Sequence, residues 1–206
     1  MRVYLATERL LLRRFTGADA DNRSDLDADP EVMRFVNGGT PTPREAIEHG
    51  YLPGWLDYYA RGDRYGFWAA IERSSGAFLG WFHLRPLPGA PDDEPELGYR
   101  LRRAAWGRGY GTEGAPALIR KGFAEFGVRR VVASTAAANI GSRRVMEKAG
   151  MALVRTYRIT FPDRFGGQEQ EAVEYALSRE EWARQEAGGP RSAAVPGRGG
   201  RPGSAG

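Results

Sequence analysis

Trp106-Gly107-Arg108-Gly109-Tyr110-Gly111-Thr112 joins two segments of different periodicity, and the reading of that join decides the fold. Before it, Glu96-Leu97-Gly98-Tyr99-Arg100-Leu101 reads as a strand. After it, Ala115 to Phe126 places Leu118, Ile119, Phe123 and Phe126 on one face of a helix. The glycines at 107, 109 and 111 therefore sit in a strand-to-helix turn, where they permit positive φ and keep Cβ atoms away from a close ligand. The N–H groups of the first helical turn point outward there, with the positive end of the helix dipole behind them. Such a turn is a cradle for a phosphate or pyrophosphate.

Two kinds of ligand compete for it. Gly109-Tyr110-Gly111-Thr112-Glu113-Gly114 fits the dinucleotide fingerprint G-x-G-x-x-G, which also needs an acidic residue about 20 positions on for the ribose. The following strand, Val131-Val132-Ala133-Ser134, ends in no carboxylate, and the segments before the turn are mostly strand-like rather than a βαβ series. A second reading joins more of the chain. The glycine run resembles the acyl-CoA pyrophosphate loop, Gln/Arg-x-x-Gly-x-Gly/Ala, of the GCN5-related N-acetyltransferase (GNAT) superfamily. Asn139-Ile140-Gly141-Ser142-Arg143-Arg144-Val145-Met146-Glu147-Lys148-Ala149-Gly150-Met151 resembles the N-x-x-S-x-x-V-x-E-K-x-G-F segment of the same superfamily. Thr7 to Arg13 and Asp29 to Phe35 resemble the opening of its ribosomal-protein-alanine acetyltransferase (Rim-like) branch. Trp106 stands where the general pattern has Gln or Arg, and the WGxGY form is similar to that branch. Met151 replaces the usual Phe, an apolar exchange of the tolerated kind.

The resemblance implies an α/β fold, with a mixed, mostly antiparallel sheet splayed at the central strand and helices on both faces. It implies transfer of acetyl from acetyl-CoA directly to a primary amine, a protein N-terminus or a small-molecule amine. Gly107, Arg108, Gly109, Tyr110, Gly111 and Thr112 would hold the pyrophosphate; Leu101 and Arg102 would pair with the pantetheine arm and Arg103 would reach the phosphates. Asn139 would bond the same arm, Ser142 would act as general acid on the CoA sulfur, and Arg143 or Arg144 would pair with the 3′-phosphate. Glu96, at the start of the central strand, is the candidate base, because attack on a thioester needs a neutral amine.

Each residue also has a plainer role. Arg102 and Arg103 could be a solvated strand end, Glu96 a surface carboxylate, and Ser142 the N-cap of the helix that follows it. Tyr99, Tyr157 and Tyr175 are alternative acids, Glu113 complements the helix dipole, and His83 reads as a structural histidine between strand neighbours Trp81-Phe82 and Leu84. A catalytically silent acyl-CoA-binding regulatory domain is the alternative class of function.

The composition narrows the field. The chain has 206 residues, 41% hydrophobic and 27% charged, enough for one domain with a full core, expected over residues 1–185. No run approaches the roughly 20 apolar residues that span a bilayer, and no signal-like apolar stretch opens the chain, so a cytoplasmic location without membrane attachment is expected. The absence of cysteine excludes disulfides, thiolate-bound zinc and a thiol nucleophile, and two histidines, His49 and His83, argue against a metal site. Of the net charge of +4, Arg191, Arg198 and Arg201 contribute three units from a tail without acids, so no nucleic-acid binding is expected of the domain. Residues 186–206, rich in Gly, Pro and Arg, are expected to be disordered.

Along the chain, Arg9 to Arg14 reads as a first strand, and Gly17 to Ala28 as a loosely packed polar surface helix. Asp29-Pro30 caps another helix, ended at Gly38-Gly39. Trp55, Tyr58 and Tyr59 would either line a substrate groove or pack in the core. Gly66–Glu72 and Ala77–Leu84 form a hairpin, and the acidic loop Asp92-Asp93-Glu94 hints at a cationic acceptor. Pro116 would fall at the third or fourth position of the cofactor helix if Thr112 or Glu113 capped it. Ala152 to Phe161 and Gln168 to Leu177 read as strands with Pro162 to Gly167 as their turn, and offer a surface for a homodimer.

Overall fold

The strands found in the computed structural model, which describes residues 2–160 and 169–188, are β1 (Val3–Ala6), β2 (Leu10–Arg14), β3 (Gly66–Glu72), β4 (Phe78–Pro86), β5 (Pro95–Leu101), β6 (Arg130–Ala136), β7 (Ala152–Thr160) and β8 (Glu169–Ser178). They form one sheet in the order β1-β2-β3-β4-β5-β6-β8-β7. Every neighbouring pair is antiparallel except β5 and β6, which are parallel and meet only at Glu96 and Val132. The sheet therefore opens in its middle. The expected turn at Pro162 to Gly167 lies outside the described residues, as does the expected tail 186–206 from 189 onward, whereas its first two residues, Glu186 and Ala187, belong to the last helix.

Alternation along β3, β4 and β5 divides the core between the two faces. Trp68, Phe82, Leu84 and Leu97 pack with Leu118, Ile119 and Phe123 of α5 (Tyr110–Glu125). Phe67 and Trp81 pack with Leu26 of α1 (Ala20–Ala28), Val32 of α2 (Pro30–Asn37), and Leu52 and Trp55 of α4 (Leu52–Tyr58). The short α3 (Arg44–Ala46) runs into α4 through a wide turn at Ile47–Tyr51. Completing the set are α6 (Ile140–Lys148) and α7 (Arg179–Ala187), the latter opened by a capping box between Ser178 and Glu181. None of the described helices is long and apolar enough to cross a membrane.

The α5 helix lies close to the sheet because Gly114 faces Phe82. A Cβ there would come within 2.5 Å of the ring, so the helix can settle onto β4 only without one. Asp29 caps α2 by accepting from the Glu31 N–H at 3.0 Å, and Gly38 ends it at φ 80, as its sequence leads one to expect.

Two expectations need correction. The polar segment Gly17 to Ala28 is not a loose surface helix: Asp19, Arg23, Leu26 and Asp27 are all buried. It is fastened by charge rather than by apolar anchors. Arg13 of β2 donates to both Asp19 oxygens at 2.6 and 2.8 Å, and Asp27 pairs with Arg23 and with Arg100 of β5. Of the two roles open to Trp55, Tyr58 and Tyr59, core packing is the one they take: Trp55 stacks on Phe67 at 4.2 Å, Tyr58 packs against the same cluster, and the Tyr59 hydroxyl is tied to the backbone of Phe15 and Phe67. A first strand, β1, was also missed, because Val3 to Ala6 is a short edge segment without a turn signal.

Candidate active site

The gap between β5 and β6 opens into a cleft of about 970 Å³ that runs from the glycine turn to α2. Hydrogen bonding decides which backbone groups face it. The Arg102 N–H donates to the Leu79 carbonyl at 2.8 Å, so even-numbered residues of β5 turn their N–H and C=O toward β4, and Tyr99 and Leu101 turn theirs toward the gap. The Leu101 carbonyl is already engaged by the indole N–H of Trp106 at 2.8 Å. That bond staples the start of the glycine turn to the end of β5. Contrary to the expectation for Arg102, its main-chain donor faces the wrong edge to meet a pantetheine arm.

The turn itself is built for close approach of an anion. Gly109 caps α5 in the left-handed region at φ 84, and the first helical bond runs from the Glu113 N–H to its carbonyl at 3.0 Å. The N–H groups of Tyr110, Gly111 and Thr112 are thus without helical partners at the positive end of a 16-residue helix. Starting the helix at Tyr110 puts Pro116 in its second turn, not at the third or fourth position. The left-handed glycine cap lets the helix begin earlier than the proline suggests.

Three charged side chains brace the turn from below. Arg9 donates to Glu113 at 2.7 Å and to the Arg108 carbonyl at 2.8 Å, while Glu113 also accepts from the Thr7 hydroxyl at 2.5 Å. Burial tends to raise the Glu113 carboxyl, but its bonds to Thr7 and Arg9 leave it below the ordinary range. Glu113 therefore ties α5 to the start of β2 as well as complementing the dipole. Glu72 of β3 accepts from the Tyr110 hydroxyl and from Arg108 at 3.2 Å. An added Cβ at Gly109 would strain the left-handed backbone by about 1–2 kcal/mol and would stand 3.1 Å from the Arg9 guanidinium. Gly109→Ala is expected to weaken acetyl-CoA binding by at least about tenfold, read by calorimetric titration; unchanged affinity would remove the turn from the binding site.

On the far side of the gap, Asn139 caps α6. Its Oδ1 accepts from the Ser142 N–H at 3.2 Å and its Nδ2 donates to Thr135 Oγ1 at 3.1 Å. Ser142 is therefore not the N-cap that its position suggests. Its hydroxyl is free of capping and lies 3.0 Å from the Tyr99 hydroxyl. Burial, only partly offset by that hydrogen bond, pushes the Tyr99 phenol up to about 12.

The face of β4 and β5 toward α1 and α2 carries a second polar group. Trp81, His83 and Arg85 stand opposite Arg100, Gly98 and Glu96. His83 Nε2 is 3.4 Å from the Glu96 carboxylate without hydrogen-bond alignment, and Arg85 is 3.7 Å from the same oxygen. Gly98 makes room for the imidazole, since a Cβ there would lie 2.5 Å from the ring. Burial lowers the His83 pKa against the opposing pull of Glu96. Burial works to raise the Glu96 carboxyl, but His83 and Arg85 together hold it below its ordinary 4.5, so it is ionised.

Residues 9–152 match the model of the acetyltransferase (GNAT) domain. This chain belongs to the GNAT acetyltransferase family. It is an acetyl-CoA-dependent N-acetyltransferase, and its open eight-stranded sheet is the family's fold. It is 36% identical over 169 residues to the FsC-acetyl coenzyme A-N(2)-transacetylase of Aspergillus fumigatus, an alignment covering 78% of this chain and 70% of that protein. Among solved structures, a GNAT-family acetyltransferase from Bacillus anthracis superposes with a TM-score of 0.70 at 23% identity, over 85% of this chain and 98% of that one. The ribosomal L7/L12 α-N-protein acetyltransferase RimL, solved in complex with coenzyme A, gives 0.71 at 15% identity over 86% and 98%.

In this acetyltransferase the cleft brings together Glu96, Leu101, Gly107, Gly109, Tyr110, Gly111, Thr112, Asn139 and Ser142. The Tyr110 side chain is buried, which leaves the residue's backbone to line the cleft. Four arginines expected at the cosubstrate point elsewhere. Arg102 and Arg103 reach Asp25 and Asp29, each at 3.5 Å, and Arg108 reaches Glu72. Arg143 donates to the Tyr175 hydroxyl at 3.2 Å and to the Ala137 carbonyl at 3.1 Å, bracing the linker before α6, whereas Arg144 lines the cleft. The acidic loop hinting at a cationic acceptor is engaged outside the cleft, where Asp93 and Glu94 hold Arg129. Sequence reasoning passed over Arg100 and set His83 aside; the signal available was strand alternation, which places both on the face of Glu96.

Proposed function

We propose that acetyl passes directly to a primary amine, with Glu96 as base and Ser142 as acid. The observation that carries this is that the ionised Glu96 carboxylate and the Ser142 hydroxyl, free of capping, line the same cleft on either side of the exposed edge of β5. The N–H groups of Tyr110, Gly111 and Thr112 hold the pyrophosphate of acetyl-CoA, and the gap-facing backbone of Tyr99 and Leu101 holds its arm. Glu96 takes a proton from the entering ammonium, directly or through water, so that the neutral amine attacks the thioester carbon. Gap-facing N–H donors of β5 bear the negative charge on the carbonyl oxygen. As the C–S bond breaks, Ser142 gives its proton to the leaving sulfur and regains one, through water, from the nitrogen of the new amide, while Tyr99, at 3.0 Å, holds the serine oxygen in place.

The absence of cysteine from the chain favours direct transfer over an acyl-thiol intermediate. The Rim-like motifs favour a protein α-amine as acceptor. The name of the 36% identical fungal relative instead puts acetyl on an N(2) nitrogen of FsC, so both a protein N-terminus and a small-molecule amine belong to the reading. Initial rates of CoA thiol release, with acetyl-CoA and amine both varied, are expected to give intersecting double-reciprocal lines. Parallel lines would indicate an acyl-enzyme and sink the direct mechanism; acetyl-CoA binding without turnover of any amine would leave only an acyl-CoA-binding domain.

A further inference from the structure

At the α1 side of the cleft, two arginines share one buried aspartate. Asp27, with a side chain 1% exposed, pairs with Arg23, 4% exposed, and accepts from Arg100 at 2.6 Å. The neighbouring acids are already engaged: Asp25 with Arg102, Asp29 with Arg103, and Glu96 with Arg85 and His83. One positive charge is therefore left over in a low-dielectric layer, where charge is costly unless met. Arg23 finds part of its compensation on the face of Trp55 at 4.7 Å, and Arg23 and Arg100 share that of Trp81, at 5.8 and 5.2 Å. Arg100 is the member of the group that lines the cleft, and only its Nη1 has a hydrogen-bond partner among the described residues.

We propose that Arg100 receives a carbonyl or carboxylate oxygen of the acceptor, so that the substrate is an amine carrying such a group, an amino acid, amino amide or peptide end, rather than a plain amine or polycation. This rests on the reading of the cleft as the site of acetyl transfer. Arg100 belongs to the same face of β5 as Glu96, about 13 Å further along the strand, so an acceptor lying between them offers its oxygen to the long guanidinium arm while its amine reaches the carboxylate through water. The local surplus of positive charge disfavours a second ammonium near it. Asp27 pins Nη1 and leaves the rest of the guanidinium fork oriented, which suits a planar oxygen acceptor.

The test compares matched amines: alaninamide against isopropylamine, and lysine against 1,5-diaminopentane. Acetylation is followed in the wild type and in Arg100→Met, with acetyl-CoA affinity measured on both. The substitution leaves Arg23 and Asp27 as a balanced pair, so folding is expected to survive; Arg100→Lys, which keeps the charge but loses the fork, is the second variant. KM for alaninamide and lysine should rise about 10- to 100-fold in Arg100→Met, the loss of a charge-assisted hydrogen bond. The plain amines and acetyl-CoA should shift less than about twofold. Taking the wild-type-to-variant ratio for each amine cancels differences in basicity. Equal losses on both members of a pair, or a loss of acetyl-CoA affinity, would overturn the proposal while leaving the transfer reading intact. If no amine is acetylated by the wild type, the transfer reading itself fails, and this assignment with it.

Discussion

Glu96→Gln is expected to lower kcat about 10²- to 10⁴-fold, the usual contribution of a positioned base, with acetyl-CoA affinity unchanged. Glutamine keeps the shape of the side chain between His83 and Arg85 but cannot take the proton. The pH profile separates this base from its neighbour. Glu96 is held below 4.5 by His83 and Arg85 against the opposing effect of burial, so it is already in its proton-accepting form at any higher pH. Plotted against the concentration of neutral amine, the wild-type rate should stay flat from about pH 8 down to pH 5 and fall only below the ordinary glutamate range. Any rise with pH on total amine then belongs to the acceptor. A loss smaller than about tenfold in Glu96→Gln would hand the proton to water or to His83. So would an acid limb between pH 5 and 7, where a histidine titrates.

How far the sequence could lead toward this site differs from residue to residue. The glycine turn was legible because positive φ and an anion-facing helix start demand glycine at fixed spacing, and the observed cap at Gly109 follows from that chemistry. The hairpin of β3 and β4 and the two final strands were legible from alternation and turn residues, within a residue or two at most ends. What stayed hidden were relations between distant segments. That Asn139 rather than Ser142 caps α6 depends on one hydrogen bond at 3.2 Å, and both residues are good caps by type. The charges of Arg103, Arg108 and Arg143 suggested phosphate contacts and the strand-end position of Arg102 a contact with the pantetheine arm, whereas their partners Asp29, Glu72, Tyr175 and Asp25 lie 32 to 77 positions away along the chain. Periodicity could not find the anchoring of α1 either, since it weighs only apolar positions.

That helix makes the largest stability effect predictable. Asp27→Asn keeps the volume of the side chain and its bond to the Thr42 hydroxyl at 3.2 Å, but it removes the only acidic partner that the described residues offer to both Arg23 and Arg100. Breaking a buried ion pair on one side typically costs about 3–5 kcal/mol, because the surviving charge stays desolvated; here two charges survive. At roughly 2–4 °C per kcal/mol for a chain of this size, the melting temperature should fall by about 10 °C or more, and α1 should lose its hydrogen-exchange protection first. Adding Arg23→Met to Asp27→Asn should recover part of the loss by removing the more deeply buried guanidinium. Arg100→Met alone, which restores a one-to-one pair, should cost far less than Asp27→Asn. A fall of less than about 1 kcal/mol in Asp27→Asn would mean that solvent reaches both arginines. The charge left over at the cleft would then need no counter-group from a substrate, so this measurement bears on acceptor recognition as directly as on the fold.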